Sequence, residues 1–191
     1  MKKQYINIYL CNAASGWLFY CKACSFVPYK RRLSSPRLFQ SLRKLKENHM
    51  ETSARNVFSG KVVAVNSGAV NDEVELSVEG GINIVASITK VSTKNLGLKP
   101  GASAMALIKA SFVLLMNDAE NYLLSTRNQF AGTVSKVTPG AVNAEVIVEL
   151  PGGASIASIV TMGSIKNLGL EPGKKVTAIV KASQVILAVA K

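Results

Sequence analysis

The second half of this chain repeats most of the first at a fixed offset of 72 residues, so any fold must accommodate one unit built twice. Ser53–Asn56 (SARN) returns as Ser125–Asn128 (STRN), and Gly68–Asn71 (GAVN) returns as Gly140–Asn143. Lys94–Leu98 (KNLGL) returns as Lys166–Leu170, followed in both copies by a Pro-Gly pair, Pro100-Gly101 and Pro172-Gly173. Lys109–Ser111 (KAS) returns as Lys181–Ser183. About thirty of 67 aligned pairs are identical without a gap, which is duplication rather than coincidence.

Each copy reads as mostly β. Lys61–Val65 is apolar and β-branched, as a strand is. Val70–Val78 alternates, with Val70, Val74, Leu76 and Val78 on one face and Asn71, Glu73, Glu75 and Ser77 on the other. Gly80-Gly81 turns the chain into a third strand, Ile82–Thr89. Ser92–Leu96 is expected to be a short helix capped by Ser92 or Thr93 and ended by Gly97 in the left-handed region. Pro100-Gly101 turns into Ser103–Ala110, and Phe112–Met116 is a last short strand. Five short strands and one small helix make a compact OB-like barrel. The predicted fold is therefore all-β, with two tandem five-stranded OB-like barrels at residues 50–119 and 120–191, joined by the polar stretch Asn117–Asn121. Units this small have marginal cores, so association between copies or chains is expected.

Residues 1–49 have no repeat partner and no clean period. They hold ten Lys or Arg against Glu47 alone, a net of +9, whereas residues 50–191 hold thirteen bases against ten acids, a net of +3. The overall +12 thus describes a basic leader and leaves the repeat region nearly balanced. The leader is expected to be disordered, or to lie upstream of a later start at Met50. Its apolar patch is too short and interrupted for a membrane span. Cys21-Lys-Ala-Cys24 with Cys11 and His49 could be drawn as a zinc site, but the spacings fit no standard finger. From Met50 onward there is no Cys, His or Trp. The repeats therefore lack thiol nucleophiles, imidazole bases and the usual zinc, copper and iron ligands, and they hold no carboxylate pair suited to acid–base work. A catalytic role and a bound metal cation are not expected.

What the copies share beyond packing residues is rich in hydrogen-bond donors: Ser53/Ser125, Arg55/Arg127, Asn56/Asn128, Asn71/Asn143, Lys109/Lys181 and Ser111/Ser183. A fully ionised dianion such as molybdate offers only acceptors, so its site needs N–H and O–H groups and excludes carboxylates. Small residues beside turn amides let such an anion approach, as Ala54, Ala110 and Ala182 would, with Thr126 the larger exception. Hydrogen phosphate must donate its proton to something and is disfavoured by such a site. Sulfate would have to be excluded by size. Each reading has a plainer rival. Arg55 and Arg127 could pair with surface acids, Lys109 and Lys181 could snorkel, and GAVN could be only a turn. LGL-x-PG is read as a helix stop and turn, and Glu73 and Glu145 as solvated strand residues.

In their order and spacing, SARN, GAVN, LGL-x-PG and KAS resemble the molbindins, free-standing Mop or TOBE domains, here in a two-domain version over residues 50–191. The resemblance implies OB-like barrels that bind molybdate or tungstate between domains, the SxRN segment of one domain meeting the KAS segment of another. Carried over by position, Ser53, Ala54, Arg55, Asn56, Lys109, Ala110 and Ser111 would line one set of sites. Ser125, Thr126, Arg127, Asn128, Lys181, Ala182 and Ser183 would line its equivalent. The turns Ala69, Val70, Asn71 and Ala141, Val142, Asn143 would form a second kind. Thr126 in place of Ala, and Gln129 after Asn128, make the second copy depart from the pattern. The resemblance further implies a homotrimer with molybdate or tungstate as ligand, no organic cofactor, and a cytoplasmic role in oxyanion storage, buffering or homeostasis.

Two alternatives stand beside this. OB barrels often bind nucleic acid, but that use needs stacking aromatics and a basic groove, and from Met50 onward the aromatics are Phe58, Phe112, Tyr122 and Phe130. No nucleic-acid or membrane partner is therefore expected. A molybdate-sensing accessory of a transporter or regulator is the other. The chain has no Gly-x-x-x-x-Gly-Lys-Ser/Thr loop, so it is not the transport ATPase itself.

Overall fold

The computed structural model describes residues 51–191 together with the backbone of residues 9–13 and 16–20. In the leader, β1 (Tyr9–Ala13) and β2 (Gly16–Tyr20) pair antiparallel as a hairpin. Tyr9, Trp17, Phe19 and Tyr20 give these stretches the aromatic content that strands favour, although no alternation marks them. Cys11 lies in β1. Cys21, Cys24 and His49 of the zinc alternative, and the start expected at Met50, fall outside the described residues.

A separate unit, Asn48–Lys191, holds both repeats. The first copy runs β3 (Asn56–Ser67), β4 (Asn71–Val78), β5 (Ile82–Thr89), α1 (Lys90–Asn95), β6 (Ser103–Ile108) and β7 (Leu114–Met116). The second runs β8 (Asn128–Pro139), β9 (Asn143–Glu149), β10 (Ser155–Thr161), α2 (Met162–Leu168), β11 (Lys175–Val180) and β12 (Ile186–Ala188). The all-β, OB-like architecture holds, with two five-stranded sheets. The first strand is longer than its apolar stretch because it serves two partners. Asn56–Lys61 pairs with β6 and Gly60–Ser67 pairs with β4, with a register shift between Val62 and Ala64. The second copy bends at the corresponding place, between Val134 and Lys136. A bulge of this kind lets one strand turn a barrel corner. The Pro-Gly turns dock on the bends: the Gly101 amide donates to Val62 O and the Gly173 amide to Val134 O, both at 2.8 Å. LGL-x-PG is thus structural, as read, with Leu98 and Leu170 buried and Gly97 and Gly169 left-handed at φ 62° and 59°.

Two local expectations are corrected. The helices begin earlier than Ser92, and the caps are Thr89 and Thr161, whose hydroxyl oxygens accept from the Ser92 and Ser164 amides at 3.2 and 3.1 Å. Each Thr ends a strand in extended geometry, as an N-cap requires. Val70 does not face the core. It sits exposed in the GAVN turn, and Asp72 takes the inward register instead, buried with its carboxylate accepting from Ser67 Oγ at 2.9 Å. Hydrogen bonding from Thr93 first, then from Ser67 and the Gly68 amide, and the charge of Lys90 hold Asp72 below the ordinary carboxylate range against the opposing cost of burial. The second copy replaces this polar group with Ala144, Pro139 and Ile165.

The two sheets exchange their last strands. Their orders are β12-β6-β3-β4-β5 and β10-β9-β8-β11-β7. β7 of the first copy pairs with β11 (Leu115 opposite Ala178), and β12 of the second pairs with β6 (Leu187 opposite Ala106). Leu115 and Leu187 are thereby buried against the partner copy's sheet. One cluster runs through both copies, including Val62, Val74, Leu76, Ile84 and Ile108 with their counterparts Val134, Val146, Val148, Ile156 and Val180. Exchange relieves the small-core problem, because neither copy has to complete its barrel alone.

Candidate functional site

Strand register brings the two donor-rich motifs together. Asn56 lies opposite Ile108 on β3 and β6, and Asn128 opposite Val180 on β8 and β11. The residues just outside those pairs are Arg55 and Lys109, and Arg127 and Lys181, so the SxRN and KAS segments of each copy leave the same strand ends. Within this chain that differs from the expected meeting of SxRN in one domain with KAS in another. Both motifs instead pack on the third strand of the opposite copy. The turn Ala110–Phe112 lies on β10 and the turn Ala182–Gln184 on β5, and Ser158 Oγ donates to Val113 O at 2.6 Å.

The motif residues divide sharply by exposure. Ser53, Arg55, Lys109 and Ser111 are exposed, as are Ser125, Arg127, Lys181 and Ser183, whereas Ala110 is buried and Ala54 and Ala182 are half-buried. Lys109 and Lys181 precede one-turn 3-10 segments, Ala110–Phe112 and Ala182–Gln184, in extended geometry. Lys109 Nζ lies 5.8 Å from the Phe112 ring centroid, a cation–π distance; the second copy has Gln184 at that position. Thr126, where the first copy has Ala54, donates through Oγ1 to Val180 O at 2.7 Å, so its added hydroxyl is spent on the strand end.

Asn56 and Asn128 do something the sequence did not reveal. Asn56 Nδ2 donates to Ala157 O at 2.8 Å, and the Ala157 amide donates to Asn56 Oδ1 at 2.7 Å. Asn128 makes the same pair of bonds to Val85, at 2.8 and 2.7 Å. Both side chains are buried. Each reads the backbone of the other copy's third strand as a further strand would, and fastens the seam between copies. Their carboxamides face protein rather than an open crevice.

The arginines are paired across the same seam. Arg55 Nη1 contacts Glu145 Oε1, and Arg127 Nη2 lies 3.2 Å from Glu73 Oε2. Glu73 and Glu145 are therefore not simply solvated strand residues, and the rival reading of the arginines as partners of acids is realised. The signal was present, since both glutamates recur at the repeat offset. The Arg55 and Arg127 side chains remain 58% and 60% exposed, and each contact uses one nitrogen, leaving most of either guanidinium open. Arg127 also lines an open cleft of about 300 Å³ with Gly80, Gly81, Asn83 and Gln129.

The GAVN segments form tight turns. The Gly68 amide donates to Asn71 O at 3.0 Å and the Gly140 amide to Asn143 O at 2.9 Å. A side chain at Gly68 would strike the Asn71 carbonyl at 2.4 Å. Val70 O and Val142 O accept from the Lys90 and Met162 amides, tying each turn to the start of its helix. Ala69, Val70, Asn71, Ala141, Val142 and Asn143 are all exposed. The two copies also touch at their hairpin tips, where a Cβ on Gly152 would lie 2.4 Å from Gly80 O. Among the described residues no group of His, Cys, Asp or Glu is placed to hold a metal cation, and no helix is long and apolar enough to cross a membrane.

Residues 52–115 and 124–187 each match the TOBE domain. The molybdenum transport protein ModE of Herbaspirillum seropedicae is 43% identical over 145 residues, covering 76% of this chain and 54% of that protein. The molybdenum-pterin-binding protein MopA of Rhodobacter capsulatus is 45% identical over 139 residues, covering 73% and 52%. The chain spans about half the length of these curated relatives. Among solved structures, the cytoplasmic molybdate-binding protein ModG, in a crystal form with molybdate bound, superposes with a TM-score of 0.72 at 48% identity, covering 74% of this chain and 100% of that one.

Proposed function

The chain belongs to the TOBE-domain family, and from that premise we propose that it binds a tetrahedral dianion, molybdate or tungstate, at the seams of its duplicated barrels. The observation that carries this reading is the pairing of SxRN with KAS at one end of β3 and β6, repeated at β8 and β11. Each pairing draws an arginine, a lysine and serines from the same strand ends, beside a buried or half-buried alanine. Two cations match two negative charges. Hydroxyls and turn amides then satisfy an oxyanion that can accept hydrogen bonds but not donate them. Ser53, Ala54, Arg55, Lys109, Ala110 and Ser111 hold the anion in one set, and Ser125, Thr126, Arg127, Lys181, Ala182 and Ser183 in the other. Asn56 and Asn128 support these sets from behind by fixing the seam. The GAVN turns offer a second kind of site, since the Ala69 and Val70 amides take no backbone acceptor among the described residues. Molybdate in ModG, similar over its whole length, supports the choice of ligand.

The role proposed is storage and buffering of the oxyanion in the cytoplasm, by binding and without catalysis. Self-association as a homotrimer completes the proposal. Val70, Val142, Leu114 and Ile186 recur at the repeat offset and remain well exposed, leaving apolar surface for further copies to cover. A second reading, the sensing half of a regulator, is favoured by the relatives named ModE, of which this chain matches about half.

Isothermal calorimetry with molybdate, tungstate, sulfate and phosphate tests the reading. Heat is expected with the first two at several sites per oligomer, and little with the others. Absence of heat with all four, on an intact oligomer, rejects it.

A further inference from the structure

Resting on that reading, we propose that Glu73 and Glu145 are built-in competitors of the oxyanion, each occupying the arginine of the opposite copy while the site is empty and yielding it when ligand arrives. The pairings are reciprocal: Arg55 of the first copy with Glu145 of the second, and Arg127 of the second with Glu73 of the first. One such contact on a protein surface is commonplace. Two at the same repeat offset, each on the arginine beside a KAS lysine, mark a designed position.

The chemistry sets the direction of the effect. A carboxylate presents acceptor oxygens to a guanidinium much as an oxyanion does, so the two ligands contend for the same donors. The carboxylate also repels a dianion held nearby. With Arg55, Lys109 and Glu145 the local charge is +1; without the glutamate it is +2, equal and opposite to the ligand. A carboxylate meant to orient its arginine for ligand would engage it in a two-pronged, buried contact. These contacts use one nitrogen each and involve arginines more than half exposed. A one-pronged pair whose arginine stands largely in solvent, though its glutamate is half-buried, is weak enough to be displaced, yet it costs the incoming anion part of its binding energy. The glutamates thereby set affinity below the maximum the cations could deliver, which suits a buffer that must release its cargo.

The test is molybdate calorimetry on the intact protein carrying Glu145→Gln, Glu73→Gln, or both, beside Glu145→Asp. Glutamine keeps the shape and removes the charge, and both positions lie at the strand surface, so folding is expected to survive and is checked by thermal melting. The Gln variants are expected to bind roughly three- to tenfold more tightly, less so as salt is raised. Glu145→Asp keeps the charge but shortens the reach to Arg55, and is expected to tighten binding partway. Equal or weaker binding by the Gln variants overturns the competitor role, and no change in Glu145→Asp alongside tighter Gln variants replaces contact competition with repulsion at a distance. If the wild-type protein binds nothing, the functional reading itself falls; if it binds and the glutamates prove neutral, only this inference does.

Discussion

Protein carrying Arg55→Ala with Lys109→Ala is expected to lose molybdate binding at the first copy's SxRN–KAS sites while keeping its fold. Each side chain offers a charge-assisted hydrogen bond worth about 1.5–3 kcal/mol, so losing both weakens a site by roughly two to four orders of magnitude. The fold should hardly notice. Both side chains are exposed, and the Arg55–Glu145 pair contributes on the order of 1 kcal/mol or less. Arg127→Ala with Lys181→Ala is expected to do the same to the second copy, and all four together to remove this class of site altogether. Calorimetric stoichiometry read beside a melting curve separates the outcomes. Undiminished stoichiometry in the fourfold variant would show that the anion is held elsewhere.

The largest effect on stability is expected from Asn56→Ala and Asn128→Ala. Neither touches the proposed ligand through its side chain. Each deletion removes two hydrogen bonds inside the protein and strands both the N–H and the C=O of Ala157 or Val85. An unsatisfied buried polar group costs about 1–3 kcal/mol, so Asn56→Ala should lose roughly 2–6 kcal/mol, and Asn128→Ala less because Val85 is only half-buried. Against the about 5–15 kcal/mol typical of a native protein, the double variant approaches unfolding. Asn56→Asp is a useful companion: it keeps the size but sets an acceptor against the Ala157 carbonyl, so it should not rescue. Denaturant melts of the single variants provide the check, and losses below about 1 kcal/mol would mean that the seam is held chiefly by its apolar core.

These predictions rest on features of unequal legibility. Alternation exposed β4, glycines and prolines marked the turns, and the repeat offset allowed each copy to corroborate the other. The OB-like architecture follows from that much, whereas the placement of SxRN and KAS at the same strand ends of one copy depends on the register of β3 with β6 and of β8 with β11. The strand exchange does not. β7 and β12 are three residues long, and since the copies are alike, either could pair with β6 or β11 with similar side-chain contacts. Nothing local distinguishes the choices, and only the packing of the whole unit decides. A recurring polar residue beside Arg reads as functional, and Asn56 and Asn128 fit that pattern; burial and a partner more than a hundred residues away for Asn56 give it another purpose. Asp72 is not legible, because a carboxylate in an inward register contradicts simple alternation without Ser67 and Thr93 around it. For Glu73 and Glu145 the recurrence is visible in the sequence, but the arginines that give it meaning lie in the opposite copy.

On this reading, duplicated arginine, lysine and serine groups cradle a doubly charged oxyanion where barrels meet. Crystals grown with tungstate and measured at the tungsten absorption edge test it most directly, since the anomalous signal locates the ion without ambiguity. The expected map has peaks within hydrogen-bonding reach of Arg55 and Lys109, and again of Arg127 and Lys181. Anomalous density confined to other surfaces, with these positions empty, would contradict the account.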